Sequence, residues 1–487
     1  MTYDRDQQLA AACLMGSFDG PVVPPWLIDR IGDGLGGVCL FAQNVIDDDH
    51  VRAICSDLHA ARDGLVIAID EEGGDVTRLD ALLGSETPCP AAFGTVDDPE
   101  LTRLAYRSLG GRLTDLGIDL SLAPCADINS NDRNPIIGVR SFGATAEVAS
   151  RHTAACVRGF RDGGAGTAVK HFPGHGDTVA DTHLGGARVE ASLAEMEGRE
   201  LVPFRAAIEA GVDAVLTAHI VASCVDDRPA SISARWTAYL RNELSFDGVV
   251  ITDALDMRAV AGNRGADGVA DAAVDALAAG ADLLCLGSNF DAAEIDLVVS
   301  TVAAAISSGR LDRGDLEQSV RRIAKLRRHG RPSTASAVDP SAAAEVARRA
   351  ITIEGRVPAG LHAIVECRPQ PNMASFNVTW GLARHLTDEG WRTQAIDHAG
   401  DTAWTPVDDD GVVIVVRDLD VHPWQRDVVD QQSAMRRPVV VVELGWPSAV
   451  PPNADCYIVS QGAALASTRA VAELLAGRPV PSSRGEN

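Results

Sequence analysis

Seven short apolar runs, Gly37–Phe41, Leu65–Asp70, Ile118–Pro124, Ala168–His171, Ala214–Ile220, Gly248–Asp253 and Ala281–Leu286, alternate with amphipathic stretches, and several of them stop on a charged residue or a histidine. Alternation of this kind is the pattern of repeated strand–helix units. Helical patterning is clear over Leu101–Leu116, Leu193–Ala210 and Ala270–Ala279. The run at Leu65–Ile69 leads into Asp70-Glu71-Glu72-Gly73-Gly74, the fourth run into Lys170-His171, the fifth into His219 and the sixth into Asp253. Polar groups at the C-terminal ends of several parallel strands meet in one cavity when the sheet closes into a barrel. An open doubly wound sheet would carry a Gly-rich phosphate turn near its start, and none stands there. The expectation is a (β/α)8 TIM-like barrel over 1–335, with the eighth unit unassigned.

From Arg321 to Asp339 the chain turns basic and then rich in Ser, Ala and Pro, which marks a boundary. The stretch 336–359, with a helical segment at Pro340–Arg349, is read as a linker. A second αβ pattern fills 360–478. Its strands are Leu361–Val365, Gly411–Val416, Val439–Leu444 and Asp455–Val459, and its helices are Ala374–Glu389, Trp424–Met435 and Leu465–Ala476. This is the form of a smaller doubly wound αβ domain of about four or five strands. Residues 479–487 read as a frayed tail.

The net charge of −25 argues against nucleic acid and anionic membrane surfaces as partners, since both would be repelled at long range. Small neutral molecules are unaffected. No apolar run approaches the roughly 20 residues of a membrane span. Leu9-Ala10-Ala11-Ala12-Cys13 has the look of a lipoprotein cleavage site, but Asp4, Arg5, Asp6 and two glutamines precede it, so it is not read as a signal. The ten cysteines are scattered singly without CxxC, and Cys39 and Cys285 sit in strand-like runs as small hydrophobes. The expected compartment is the reducing cytoplasm. The oligomeric state has no signature.

The most chemically loaded stretch is Lys170-His171-Phe172-Pro173-Gly174-His175-Gly176-Asp177-Thr178-Val179-Ala180-Asp181-Thr182-His183. Its composition suits an active-site loop and not a core. Three readings compete: a solvated loop, a metal site drawn from His171, His175, Asp177, Asp181 and His183, and an acid/base pair formed by Asp181 and His183. No recognised metal-ligand spacing is present, so the acid/base pair is preferred and neither metal nor cofactor is expected. Asp253, at the end of a strand, is either a helix N-cap or a nucleophile. Together with a histidine acid/base it completes the minimal equipment for retaining glycoside hydrolysis.

The loop resembles the KH(F/I)PG(H/L)GxxxxD(S/T)H signature of the β-N-acetylglucosaminidase branch of glycoside hydrolase family three. The resemblance extends through Asp70–Gly74, through Asn134-Pro135-Ile136-Ile137-Gly138-Val139-Arg140-Ser141-Phe142-Gly143, and through Thr252-Asp253. It implies Asp253 as the nucleophile and His183, paired with Asp181, as the acid/base. It also implies that Asp70, Arg78, Arg140, Lys170 and His171 hold the terminal sugar. Asp75 departs from the pattern, since many relatives carry Arg after the two glycines. The implied activity is an exo-β-N-acetylglucosaminidase acting on small GlcNAc-terminated fragments of cell wall or chitin. A histidine in place of a second carboxylate would tolerate phosphate as acceptor, so a β-N-acetylglucosaminide or β-glucoside phosphorylase stays open. A metal-dependent barrel hydrolase and a non-catalytic sugar-binding protein are the remaining alternatives. The loop has glycines and few apolar anchors to hold it closed, and is expected to be mobile.

Overall fold

The computed structural model describes residues 3–178, 186–326, 339–371, 374–375, 378–397, 411–435 and 437–478. Eight parallel strands follow one another round the first sheet: β1 (Leu14–Gly16), β2 (Gly37–Leu40), β3 (Val66–Ile69), β4 (Leu120–Ser121), β5 (Gly166–Phe172), β6 (Ala214–Thr217), β7 (Val249–Thr252) and β8 (Leu284–Cys285). β8 pairs with β1, and an Ile251–Leu283 bridge links β7 to the start of β8, so the barrel is nearly closed. The strand order is the sequence order, as repeated strand–helix units require.

The unassigned eighth unit is β1. Its strand is three residues long and follows an Ala-rich helix, Arg5–Ala12, so no alternation was there to read. That helix is capped by Asp4 and Gln7 and buries Ala10 and Ala11, with Cys13 beyond it also in the core. The signal-like stretch is therefore the first helix of the barrel. Along the strands, Cys39, Val66, Ala68, Leu120, Ala168, Leu216, Ile251 and Cys285 fill the barrel interior. Their neighbours Val38, Ile67, Val169, Val215, Val250 and Leu284 pack outward under the helices. A strand with both faces buried reads as a continuous apolar run, which is why these strands were legible.

The helix expected over Leu193–Ala210 is two, Leu193–Gly198 and Val202–Glu209. Pro203 has no N–H to continue the first helix and is well placed at the start of the second. A short parallel pair, Ala187–Val189 with Ile220–Ala222, lies outside the barrel sheet.

The second sheet holds β9 (Thr352–Gly355), β10 (Leu361–Arg368), β11 (Arg392–Asp397), β12 (Gly411–Val416), β13 (Val439–Glu443) and β14 (Cys456–Val459), in the order β9-β14-β13-β12-β10-β11. All pairings are parallel except that of β9 with β14. The two extra strands are edges whose residues are mostly exposed, so they lack an apolar signal. The stretch 336–359 thus carries a helix at Ser341–Arg349 and the edge strand β9. The helix expected over Ala374–Glu389 is confined to Ala383–Leu386 and a 3-10 turn at Thr387–Glu389. Gly381 precedes it at φ +127, against the Glu366 carboxylate. Among the described residues no helix is long and apolar enough to cross a membrane. The tail at 479–487 lies outside the described residues.

The second unit sits on the barrel loop that follows β3. Arg417 pairs with Asp75 at 2.6 Å, and Asp75 also accepts from Ala463 N at 2.9 Å and from the Cys89 thiol at 3.2 Å. Thr379 N donates to Ala81 O at 2.9 Å, and Arg469 pairs with Glu86 at 2.6 Å. Gly74, at φ +65, lies so close to Cys89 that a side chain there would overlap its Cα.

Candidate active site

The C-terminal ends of β2, β3, β5, β7 and β8 open on one cavity of about 140 Å3, lined by Asp70, Arg78, Arg140, Lys170, His171 and Asp253 among others. Successive residues of a strand face opposite ways, so Asp70 and Glu72 point into the barrel mouth while Glu71 turns away. Glu71 instead accepts from Thr77 Oγ1 and from the backbone N–H of Arg78 and Leu79, at 3.0, 2.9 and 3.1 Å. That staple fixes the turn that presents Arg78. Lys170 and His171 are consecutive yet both line the cavity, and the pairing of β5 with β6 shifts register between Val169 and Phe172. A local irregularity of this sort re-aims side chains.

The polar floor is a chain of charges. Lys170 Nζ lies 2.6 Å from Asp70 Oδ1 and 2.7 Å from Glu72 Oε1. Arg140 grips Glu72 with two bonds, at 2.7 and 2.9 Å. Arg78 pairs with Asp70 at 3.4 Å and donates to Ala374 O, from the second unit, at 3.0 Å. His171 Nδ1 is 2.6 Å from Asp127 Oδ2, and Arg140 Nη2 is 3.2 Å from His171 Nε2. A guanidinium only donates, so this contact selects the tautomer whose proton sits on Nδ1 against Asp127.

Burial alone would raise these carboxyls, but their partners prevail. Arg140 and Lys170 hold Glu72 well below its ordinary value, Lys170 and Arg78 hold Asp70 down, and the hydrogen bonds donated by His171 Nδ1 and the His175 N–H hold Asp127 down. Lys170 is raised in turn, because Asp70 and Glu72 outweigh its burial. Asp70, Glu72, Asp127 and Lys170 are thus ionised. An ammonium has three protons, of which Asp70 and Glu72 take two, leaving one for a ligand hydroxyl.

Asp253 follows β7, half-buried at the cavity wall. Its N–H donates to Thr217 O at 2.9 Å and its Oδ1 accepts from Ala254 N at 2.8 Å. The helix beyond begins only at Arg258, with Met257 at its N-cap position, so Asp253 is not a cap. His219, at the end of β6, is fully buried and lies beneath this turn. Its Nε2 donates to Ala254 O at 2.8 Å, and its Nδ1 accepts from Ser231 Oγ at 2.6 Å.

The first half of the His-rich loop is part of the core, contrary to the expectation from its composition. His175 and Thr178 are buried, and Asp127 Oδ1 accepts from His175 N at 2.6 Å. Asn134 accepts from Ile136 N and Ile137 N and donates to His175 O at 2.8 Å, which ties the Arg140 loop to this one. Asp181 and His183 fall within 179–185 and lie outside the described residues. Two groups that sequence reasoning left out are Glu72 and Asp127. Glu72 could have been found from its period-two relation to Asp70, whereas Asp127 follows β4 with no motif to mark it. Cys125, Asp127 and His171 bring ligand atoms within 4.8 Å of one another. Arg140 beside His171 works against a cation there.

Stability should report on His175. Burial pushes its imidazole down to about 4, with Asp127 opposing, so it stays neutral in the fold while the unfolded chain takes up its proton from pH 6.5 downward. Its contribution is present above pH 6.5 and is lost as pH falls toward 4, a loss on the order of 3 kcal/mol. Glu71, pushed up by burial and by Asp80, works in the opposite sense. Urea midpoints of wild type and His175→Asn compared across this range isolate the effect. The variant should lose less stability than wild type on acidification, and equal losses would refute the assignment.

Residues 31–326 match the glycosyl hydrolase family 3 N-terminal domain. The chain is 33% identical over 343 residues to beta-hexosaminidase A of Pseudoalteromonas piscicida, covering 64% of this chain and 57% of that protein. It is 35% identical over 286 residues to beta-hexosaminidase of Pseudomonas aeruginosa (strain LESB58), covering 57% and 83%. In structure it is similar to a glycoside hydrolase family 3 beta-N-acetylglucosaminidase from Paenibacillus sp. str. FPU-7, with a TM-score of 0.86, 29% identity, and 99% and 98% of the two chains covered.

Proposed function

The chain belongs to glycosyl hydrolase family 3, and from that premise we propose that it is a retaining exo-β-N-acetylglucosaminidase removing terminal GlcNAc from small glycoconjugates. Asp253 attacks the anomeric carbon as the glycosidic bond breaks, and His183, paired with Asp181, protonates the departing oxygen. The same histidine then takes a proton from the water that opens the glycosyl ester. Asp70, Arg78, Arg140, Lys170 and His171 bind the sugar. Carboxylates accept from its hydroxyls, while the cations donate to hydroxyls and to the acetamido oxygen. What supports this reading is one observation: Asp253 shares its cavity with Lys170, Arg140 and the Asp127-oriented His171.

We further propose a catalytic unit over 1–335 and a second αβ unit over 360–478, joined by 336–359. The proposed compartment is the cytoplasm, which suits ten unpaired thiols of which nine are buried. The proposed substrates are fragments released from cell wall or chitin.

The test is release of p-nitrophenol from its β-N-acetylglucosaminide with and without phosphate, the sugar product being identified by NMR. Free GlcNAc in both buffers is expected. GlcNAc-1-phosphate formed only with phosphate would replace the hydrolase by a phosphorylase, and no turnover would overturn both.

A further inference from the structure

Beside the catalytic cavity lies a larger one of about 660 Å3, and the two share Phe41, Arg78 and Ser288. The larger one is walled by the loop after β2, by the Thr77–Leu83 turn after β3 and by Val378 of the second unit. Three of the eight large hydrophobic side chains exposed among the described residues stand on this wall: Ile46 at 57%, Leu82 at 73% and Leu83 at 68%. A soluble fold scatters such side chains singly, and a cluster of them marks a contact surface. Leaving all three in water adds nothing to the stability of the free protein.

The charges around this wall are selective. Among the described residues Arg78 is the basic residue that lines it, engaged by Asp70 and Ala374 O, and Arg384 close by donates to Leu83 O. Asp48 and Asp80 also line the wall and are both gripped by Arg112, at 2.8 Å each. Asp47 adds a further carboxylate at the rim. Arg112 offsets one of the charges of Asp48 and Asp80, so with Asp47 the three aspartates still outweigh it, and an anion placed here meets net negative charge and cations already bonded elsewhere, whereas an uncharged hydrocarbon meets leucine and isoleucine.

We infer that this second cavity is the aglycone subsite and that it selects neutral, apolar aglycones, alkyl or aryl, over carboxylate-bearing ones. The inference rests on the reading that the first cavity takes terminal GlcNAc. The leaving group departs across the shared rim of Phe41, Arg78 and Ser288, and a hydrocarbon leaving there is buried against Ile46, Leu82 and Leu83. Of the proposed fragments it favours those of chitin, with an uncharged aglycone, over those of cell wall, whose muramyl aglycone bears a lactyl carboxylate.

The test is kcat/KM for methyl, butyl and hexyl β-N-acetylglucosaminides, with chitobiose and the GlcNAc-β-1,4-MurNAc disaccharide alongside. The simple alcohols differ little as leaving groups, so differences among them report binding expressed in the transition state. A fully buried methylene contributes about fourfold, so hexyl should exceed methyl by at least about tenfold. In the Leu82→Ser/Leu83→Ser variant, both changes being at exposed positions, the hexyl-to-methyl ratio should fall toward one. The muramyl disaccharide should be turned over more slowly than chitobiose. A flat alkyl series, a ratio unmoved in the variant, or a preference for the muramyl disaccharide would overturn the inference while leaving the hexosaminidase reading intact. Failure to cleave any of the five would remove both.

Discussion

Asp253→Ala is expected to lower kcat by roughly 10^4- to 10^6-fold, the scale on which loss of a covalent nucleophile is felt. The side chain is half-buried and the bond from its N–H to Thr217 O is retained in the variant, so the loss should come without unfolding. The product of chemical rescue then identifies the role. With the carboxylate gone, azide can attack the anomeric carbon from the vacated face and give the α-glycosyl azide. His183→Ala leaves the glycosyl ester able to form, so azide should there give the β-glycosyl azide. Undiminished turnover by Asp253→Ala, or a β product from it, would remove Asp253 from the nucleophile position.

Arg417→Met is the second large effect expected, at a residue of the second unit that does not line the cavity. Arg417 is the cationic partner of Asp75, and both side chains are largely withdrawn from water, at 11% and 4% exposure. Deleting one member of a buried pair leaves an uncompensated charge and costs about 3–5 kcal/mol. The loop that carries Asp75 also carries Arg78, and the second unit holds it at Asp75, Ala81 and Glu86. Loss of stability should therefore be accompanied by a raised KM. Adding Asp75→Asn removes the stranded charge, and the double variant should recover a large part of the loss, giving a clear coupling in a double-mutant cycle. Additive effects of the two changes would mean that the contact does not hold the units together. After the two glycines this chain places a carboxylate, and the second unit supplies its cation from Arg417.

The barrel could be read from sequence because its strands are apolar on both faces and end in polar residues, as in Leu65–Asp70 and Gly248–Asp253. β1 escaped because three residues carry no period, and β9 and β11 escaped because an exposed edge has no apolar face to display. Of the site, Lys170, His171, Arg140 and Asp253 were legible from their motifs and positions, and they line one cavity. Glu72 was open to reading two residues after Asp70 but was passed over, and Asp127 was not legible, since it acts by bonding His171, distant in sequence. Asp75 was visible as an oddity, but its partner stands on another unit, beyond the reach of any local pattern.

The cluster at the cavity floor joins three cations, Lys170, Arg78 and Arg140, to three carboxylates, Asp70, Glu72 and, behind His171, Asp127, through direct bonds or by way of His171. Such a sextet is electrically neutral, and buried pairs of this kind feel dissolved ions only weakly. Binding of the uncharged sugar proposed above is therefore expected to respond little to ionic strength, despite a net charge of −25 on the chain.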